Sequence, residues 1–254
     1  MADRAIGAPD KKRQTTTIAD EFMKTRDKIL LSSLELFNER GERNVTTNHI
    51  AAHLAISPGN LYYHFRNKSD IIYEIFLEYE KLVDFYLDIP QDRALTLDDL
   101  TFYLESVFDG LWSYRFFHRD LEYLLDTDPR LRKDYREFTN RCLSSIQEIF
   151  WKLTEAGIIE LTSEDLRAAV SLNVWLVVTN WMAFLKTAHA GDEPASLTIT
   201  ELKQGIYQVL TMQMPYLTPE YRDRVVALRE RYRPSLPAAG GAPVKVVARK
   251  ERVG

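Results

Sequence analysis

"ISPGNLYYHFRNKSDII", residues 56–72, decides how this chain is read. A Ser-Pro-Gly-Asn turn runs straight into Leu-Tyr-Tyr-His-Phe, two basic residues follow, and an apolar run resumes. Ser57 is placed to cap a helix, and Pro58 suits its first turn, where no amide hydrogen is needed. Leu61 and Phe65 are four apart, so they share one helical face and hold the helix to a core. Aromatic residues at helical spacing are core residues more often than not. Adjacent tyrosines, however, cannot face the same way, so at least one of Tyr62, Tyr63 and His64 must stand outward.

Working outward, Leu30, Leu34 and Phe37 fall at i, i+4 and i+7, and Gly41 stops that helix. Thr46 or Thr47 then caps a short helix that turns Ile50, Ala51 and Leu54 inward, and Ala55-Ile56 make a tight connection. Two short helices joined by a tight turn and braced by an earlier one form a helix-turn-helix, whose second helix enters the DNA major groove N-terminus first. Ser57, Pro58, Gly59 and Asn60 make that N-terminus. Gly59 lets backbone approach closely, and exposed amides there favour phosphate. Asn60 has the groups to bond adenine twice. Tyr62, Tyr63 and His64 offer polar tips to phosphates, and Lys68 is placed for another.

The formal net charge of −4 is unevenly spread. Residues 1–68 hold 11 Lys+Arg against 8 Asp+Glu, and the remainder 22 against 29, so the N-terminal part carries the sign that meets a polyanion. The single cysteine, Cys142, excludes an intramolecular disulfide and suits a reducing cytoplasm. Lys11, Lys12 and Arg13 stand where a secretory signal would have an apolar stretch.

Beyond Pro90 the pattern stays helical and no stretch alternates with period two. The expected fold is all-α. Residues 1–22 read as an arm, 23–83 as the DNA-binding domain with its helix-turn-helix at 46–65, 84–233 as a larger helical domain, and 234–254 as a disordered tail. "AAVSLNVWLVVTNWMAFL", residues 168–185, carries no charge. Ser171, Asn173, Thr179 and Asn180 interrupt it, and Arg167 and Lys186 bound it. It reads as a helix at a domain centre or subunit interface, not as a membrane span. With a helix from Thr200 to Met214 carrying Ile206, Val209 and Leu210, it predicts a four-helix dimer bundle.

His49 and His53 have metal-ligand spacing, but no third ligand is near, and surface histidines are the plainer reading. The acidic group Asp120, Glu122, Asp126 and Asp128 reads as a solvated helix end. No nucleophile elbow, phosphate-binding glycine loop or Cys-x-x-Cys is present, so neither an enzyme nor a cofactor is expected. The aromatic-rich stretch 102–184 predicts an apolar pocket. Its expected residues are Trp112, Phe116, Trp151 and Trp175, with Arg115, His118, Arg119 and Asn173 as polar partners. Such a pocket suits an apolar or amphipathic ligand, fatty acyl or aromatic, whose acidic group could meet Arg115 or Arg119.

Residues 25–76 resemble the DNA-binding domain of TetR-family transcriptional repressors. The resemblance rests on Ile29-Leu30 with Leu34 and Phe37, Gly41, Val45-Thr46-Thr47, Ile50-Ala51, Leu61-Tyr62-Tyr63-His64-Phe65 and Asn67-Lys68. It implies a homodimer reading a palindrome in double-stranded DNA, a C-terminal domain holding a small-molecule pocket and the dimer interface, and release of DNA when ligand binds. By match to the motif, Thr47 and Asn48, beside Thr46, join the DNA contacts. One position departs: Ala55 stands where the family usually has glycine, and a positive φ there costs roughly 1 kcal/mol. Two rival functions stay open at this point, a constitutive DNA binder without effector and a helical carrier or enzyme that keeps the fold.

Overall fold

The computed structural model describes residues 24–188 and 197–234. The expected arm, 1–22, and the expected tail beyond Pro234 lie outside them. The described residues form α1 (Thr25–Arg40), a 3-10 turn (Glu42–Asn44), α2 (Thr47–His53), α3 (Pro58–His64), α4 (Lys68–Tyr86), α5 (Leu97–Ser113) and α6 (Arg115–Thr127). Then come α7 (Pro129–Glu155), α8 (Glu164–Ala188), α9 (Ile199–Lys203), α10 (Gly205–Gln213), a second 3-10 turn (Met214–Tyr216) and α11 (Pro219–Glu230). There is no strand among them, only a single antiparallel bridge between Ile159 and Leu217.

Local chemistry sets the helix starts. Thr46, Thr96 and Thr198 each begin a reciprocal capping box, with His49, Asp99 and Glu201 as the returning side chains. Ser57, Asn67 and Asp128 cap α3, α4 and α7 by accepting from first-turn amides. The break between α5 and α6 has no Gly or Pro. It is held from a distance: Asn38 Nδ2 donates to Ser113 O at 2.7 Å, and Phe116 N donates to Asn38 Oδ1 at 3.0 Å. One side-chain amide thereby satisfies the last carbonyl of α5 and an early amide of α6, groups that a helix end leaves unpaired.

Two apolar clusters form the core. One is built on α1–α4 around Ile29, Phe37, Ile50, Leu61 and Phe76, and continues into Phe116, Phe117 and Phe138 of α6 and α7. The other fills the space between α5, α7, α8 and α10. Helix α4 supplies the first cluster along its length, so the N-terminal helices share one packed body with α6 and α7.

Helix α8 packs on α6, α7, α9 and α10. By length and composition it is apolar enough to cross a membrane, yet only 28% of its apolar window is buried within the chain. Leu172, Leu176 and Phe184 remain 45%, 49% and 55% exposed, and with Asn180 they follow a four-residue spacing that makes one stripe. The expectation that α10 turns Ile206, Val209 and Leu210 to a partner is corrected. These side chains are at most 1% exposed, because α10 packs them into the core against α8 and α11.

The turn between α2 and α3 places Ala55 at φ 53°, in the left-handed region. Ile56 N reaches Ala51 O at 3.0 Å and Ala55 N reaches Ala52 O at 3.2 Å, the paired bonds of a Schellman motif. That conformation costs an L-residue with a Cβ about 1–2 kcal/mol. Replacing Ala55 by Gly removes the cost but gives back about 0.4–1 kcal/mol through unfolded-chain entropy. Ala55→Gly is therefore expected to stabilise by about 0.5–1 kcal/mol. Urea unfolding should show a raised midpoint at unchanged slope; a lowered midpoint would mean the positive φ carries no strain.

Candidate nucleic-acid interface and interior cavity

Helix α3 is a seven-residue helix with one buried residue, Leu61. Phe65, at its C-cap, is also buried, so the two inward contacts expected from the sequence join α3 to the apolar cluster of α1–α4. The opposite side is free. Ser57, Pro58, Gly59 and Asn60 are exposed, Tyr62 is half-exposed and Tyr63 is 84% exposed. The Tyr62 hydroxyl lies 3.0 Å from Thr47 Oγ1, tying α3 to the start of α2 and fixing that ring. His64 packs edge-on to Tyr63 and is partly covered. Asn48 is exposed beside this pair, and Thr46 is engaged as the α2 cap. His49 Nδ1 accepts from Thr46 N at 3.3 Å, which gives that histidine a capping role.

Two expectations change here. Asn60 N and Leu61 N both donate to Ser57 O, and Asn60 N also reaches Ser57 Oγ. With Pro58 lacking an N–H, only the Gly59 amide is left for phosphate in the first turn of α3. Lys68 is the second correction. Its ammonium meets Glu42 O and Val45 O at 3.0 Å each and Glu42 Oε1 at 2.7 Å. All three protons are thus used on the segment linking α1 to α2. Glu42 is 2% exposed, and among the described residues Lys68 is the one ion-pair partner for its buried charge. Lys68 braces the reading helices from inside instead of reaching a phosphate.

The second feature is a cavity of about 80 Å3, bounded by α4, α5, α6, α7, α8 and α10. The lining is almost wholly apolar, and among the described residues no Asp, Glu, Lys or Arg contributes to it. His118 enters from α6 with Nε2 2.9 Å from the Tyr79 hydroxyl of α4. Burial lowers the His118 pKa from 6.5 to about 4, so the ring is neutral near pH 7. Burial also pushes the Cys142 thiol up to about 12, which keeps it protonated. His118 Nδ1 and Gln213 Oε1 are shielded from solvent and have no hydrogen-bond partner among the described residues.

Of the expected pocket residues, the structure brings His118 and Trp175 to the cavity. The other six go elsewhere. Trp112 stacks under Arg115, which donates to Trp112 O at 3.0 Å. Phe116 is fully buried against Phe37, 5.2 Å between ring centroids. Arg119 donates to Phe37 O at 2.9 Å and pairs with Asp120. Trp151 is exposed under Arg167, and Asn173 is exposed on α8. Phe138, within the aromatic-rich stretch, does line the cavity, whereas aromatic richness gives no pointer to Tyr79, Cys142 or Gln213. A usable signal existed: Cys142 shares a helical face with Phe138 and Ile146, and Gln213 shares one with Ile206, Val209 and Leu210. Each puts a polar or thiol group where the pattern demands an apolar one.

Two family models match this chain. The one described as bacterial regulatory proteins of the tetR family covers residues 29–75, and the TetR model described as a bacterial transcriptional repressor covers 78–225. A TetR-family transcriptional regulator from Marinobacter aquaeolei VT8 is 80% identical, covering 84% of this chain and 100% of that one, with a TM-score of 0.78. At 18% identity, the ketosteroid transcriptional regulator KstR2 of Mycobacterium tuberculosis shares the fold, covering 77% of this chain and 96% of that one at a TM-score of 0.56. So does a Saccharomonospora viridis protein solved in complex with choline, also 18% identical, covering 73% and 95% at 0.56. Among curated proteins, the HTH-type transcriptional regulator UidR of Escherichia coli K12 is 40% identical over 58 residues, 23% of this chain and 30% of that one. The chain thus matches less than a third of that relative's length.

The Lys68 brace is testable by stability. Lys68→Met leaves Glu42 buried and unpaired, and should cost about 3 kcal/mol, the lower end for breaking a buried pair because Lys68 is partly exposed. Glu42→Gln in the same chain should restore part of it. Melting at the wild-type temperature together with weakened DNA binding would instead assign Lys68 to phosphate.

Proposed function

This chain belongs to the TetR family of bacterial transcriptional regulators, and from that premise we propose that it binds a palindromic operator as a homodimer and leaves it when a small molecule fills the interior cavity. The observation that carries the reading is the pairing of two features in one packed body. An exposed Asn60-Tyr62-Tyr63 face stands on a rigidly held α3, and an uncharged cavity lies behind α4 and α6. The reading head is residues 23–83, with its helix-turn-helix at 46–65, and residues 84–233 bind ligand and pair the subunits. Thr46, Thr47, Asn48, Ser57, Pro58, Gly59, Asn60, Tyr62, Tyr63 and His64 form the DNA-facing set. Repression in the cytoplasm is the matching role. The cavity weighs against a constitutive binder, for which the second domain would be filled.

Coupling has a physical route. Helix α6 carries His118 into the cavity and is bound to α1 through Asn38 and Arg119. Helix α7 lines the same cavity and is joined to α4 by Arg130–Asp70, Tyr73–Asp134 and Arg141–Glu80. A ligand that favours a different spacing of α6 and α7 therefore displaces α1 and α4, which carry the reading helix. Two reading helices in a dimer must stay about one DNA turn, ~34 Å, apart to engage successive grooves. A ligand acts only through its preference for one arrangement, typically ~1–3 kcal/mol of coupling, or about 5- to 150-fold in operator affinity.

Selection of bound sequences from random DNA with the purified protein tests the proposal, and enrichment of a palindrome is the expected outcome. On the selected operator, Asn60→Ala should cost about 1–3 kcal/mol and relax preference at one base pair per half-site. Unchanged affinity and selectivity would remove α3 from the reading role.

Assembly gives a separate test. The Leu172, Leu176 and Phe184 stripe is the surface proposed for the second copy. Leu176→Glu should raise the dimer dissociation constant at least tenfold, because a charge then faces its own copy across a two-fold axis. Light scattering at micromolar concentration reads it. A wild-type protein that is monomeric there would refute the dimer.

A further inference from the structure

The cavity specifies its ligand by what it leaves unpaired. Tyr103 donates its hydroxyl proton to Asp88 O at 3.3 Å, and Thr179 donates to Trp175 O at 2.8 Å, so both lining hydroxyls are satisfied within the protein. The Tyr79–His118 pair and Gln213 remain. The buried Tyr79 hydroxyl has His118 Nε2 as its partner. If Nε2 carried the proton, the tyrosine O–H and the Nδ1 lone pair would both be stranded. If Tyr79 donates to Nε2, a single group is stranded, the Nδ1–H. The second arrangement leaves a hydrogen-bond donor on a ring that lines the cavity. Gln213 is 3% exposed and its Oε1 has no partner. A hydroxyl group satisfies that amide in either orientation, donating to the oxygen or accepting from the nitrogen.

Charge is excluded by the same inspection. A buried carboxylate needs a cation, yet Arg115 and Arg119, the nearest in sequence to His118, are held by Trp112 O and Phe37 O outside the lining. A buried ammonium finds no carboxylate in the lining. The aromatic rings that could cage one are packed edge-on or tilted against each other, as Phe138 is with Trp175 and Tyr79.

We infer that the effector is an uncharged, mainly apolar hydroxy-ketone, its carbonyl accepting from His118 Nδ1–H and its hydroxyl meeting the Gln213 amide. This rests on the reading that the cavity holds the effector, and it replaces the acidic ligand expected from the arginines. Because the carbonyl would contact the ring that bonds Tyr79, the ligand touches α6 and, through it, α4.

The test uses the whole protein and three neutral hydroxy-ketones of increasing length: para-hydroxybenzophenone, para-hydroxychalcone and testosterone. Binding is read by fluorescence of the tryptophans, Trp175 among them, and by thermal shift without DNA. At least one should bind, and losing either polar group should weaken it about tenfold, as one net hydrogen bond allows. Benzophenone and para-benzylphenol serve as the stripped partners of the first probe. His118→Phe should erase the advantage of the carbonyl and keep that of the hydroxyl, and Gln213→Leu should do the reverse. The inference is overturned if none of the three binds, if stripped compounds bind as tightly, or if para-benzoylbenzoate, laurate or choline binds more tightly. Operator release, measured separately, tells the two claims apart. A hydroxy-ketone that binds in this pattern without releasing operator upholds the ligand chemistry and refutes the effector role. A charged compound that releases operator does the opposite.

Discussion

One side-chain amide, that of Asn38, holds this architecture together. It lies near the C-terminal end of α1 and reaches 75 residues along the chain to the α5–α6 break. There it supplies the acceptor and the donor that two adjoining helix ends require. Backbone groups at helix ends are costly to leave unpaired away from water. The break at Tyr114 therefore exists only while α1 is docked against it. Arg119 adds a second bond to the same end of α1, through Phe37 O, and Phe116 packs its ring on Phe37. The reading helices are thus keyed into α6 by polar contacts whose loss would unsettle both sides.

Within the reading head, rigidity is obtained in two unlike ways. Lys68 brings a charge to a nearly buried Glu42 and closes the segment between α1 and α2. Ala55 accepts a strained φ so that α2 can end in a Schellman turn and α3 can leave at the required angle. Both act on the loops, where a short helix has little packing of its own. Leu61 and Phe65 alone anchor α3 to the core. A seven-residue helix with so few buried contacts keeps its direction only because its two flanking turns are fixed.

Most of the reading head was legible in the sequence, because its signals are local. Thr46, Ser57 and Pro58 declare helix starts, Gly41 declares a stop, and the four-residue spacing of Leu61 and Phe65 settles which side faces in. The role of Lys68 was not legible: its position beside α3 looks the same whether its ammonium reaches outward or folds back 26 residues to Glu42. The cavity is poorly legible in the sequence for a similar reason. Trp112, Trp151 and Phe116 are large and aromatic, but whether such a ring lines a void, fills a core or caps a surface depends on which helices come together. Residues from α4, α7 and α10 converge there through contacts distant in the chain. The break at Tyr114 depends in the same way on Asn38.

Helix α8 is where the two proposed activities, ligand binding and subunit pairing, would share one element. Val174, Trp175, Val178 and Thr179 look into the cavity, while Leu172, Leu176 and Phe184 look out. The residues of the two sets alternate within single turns, so α8 is one helix thick between the ligand and the proposed partner subunit. A helix moves as a body, and a core packed at crystal density does not yield by small continuous amounts. Displacement of the inner face by a ligand must reappear on the outer stripe. With a second copy docked there, the two cavities would sense each other through a pair of α8 helices, and each would sense the operator through α6 and α4. By linkage the influence runs both ways: a dimer held on its operator resists the ligand by the same factor as the ligand loosens the operator.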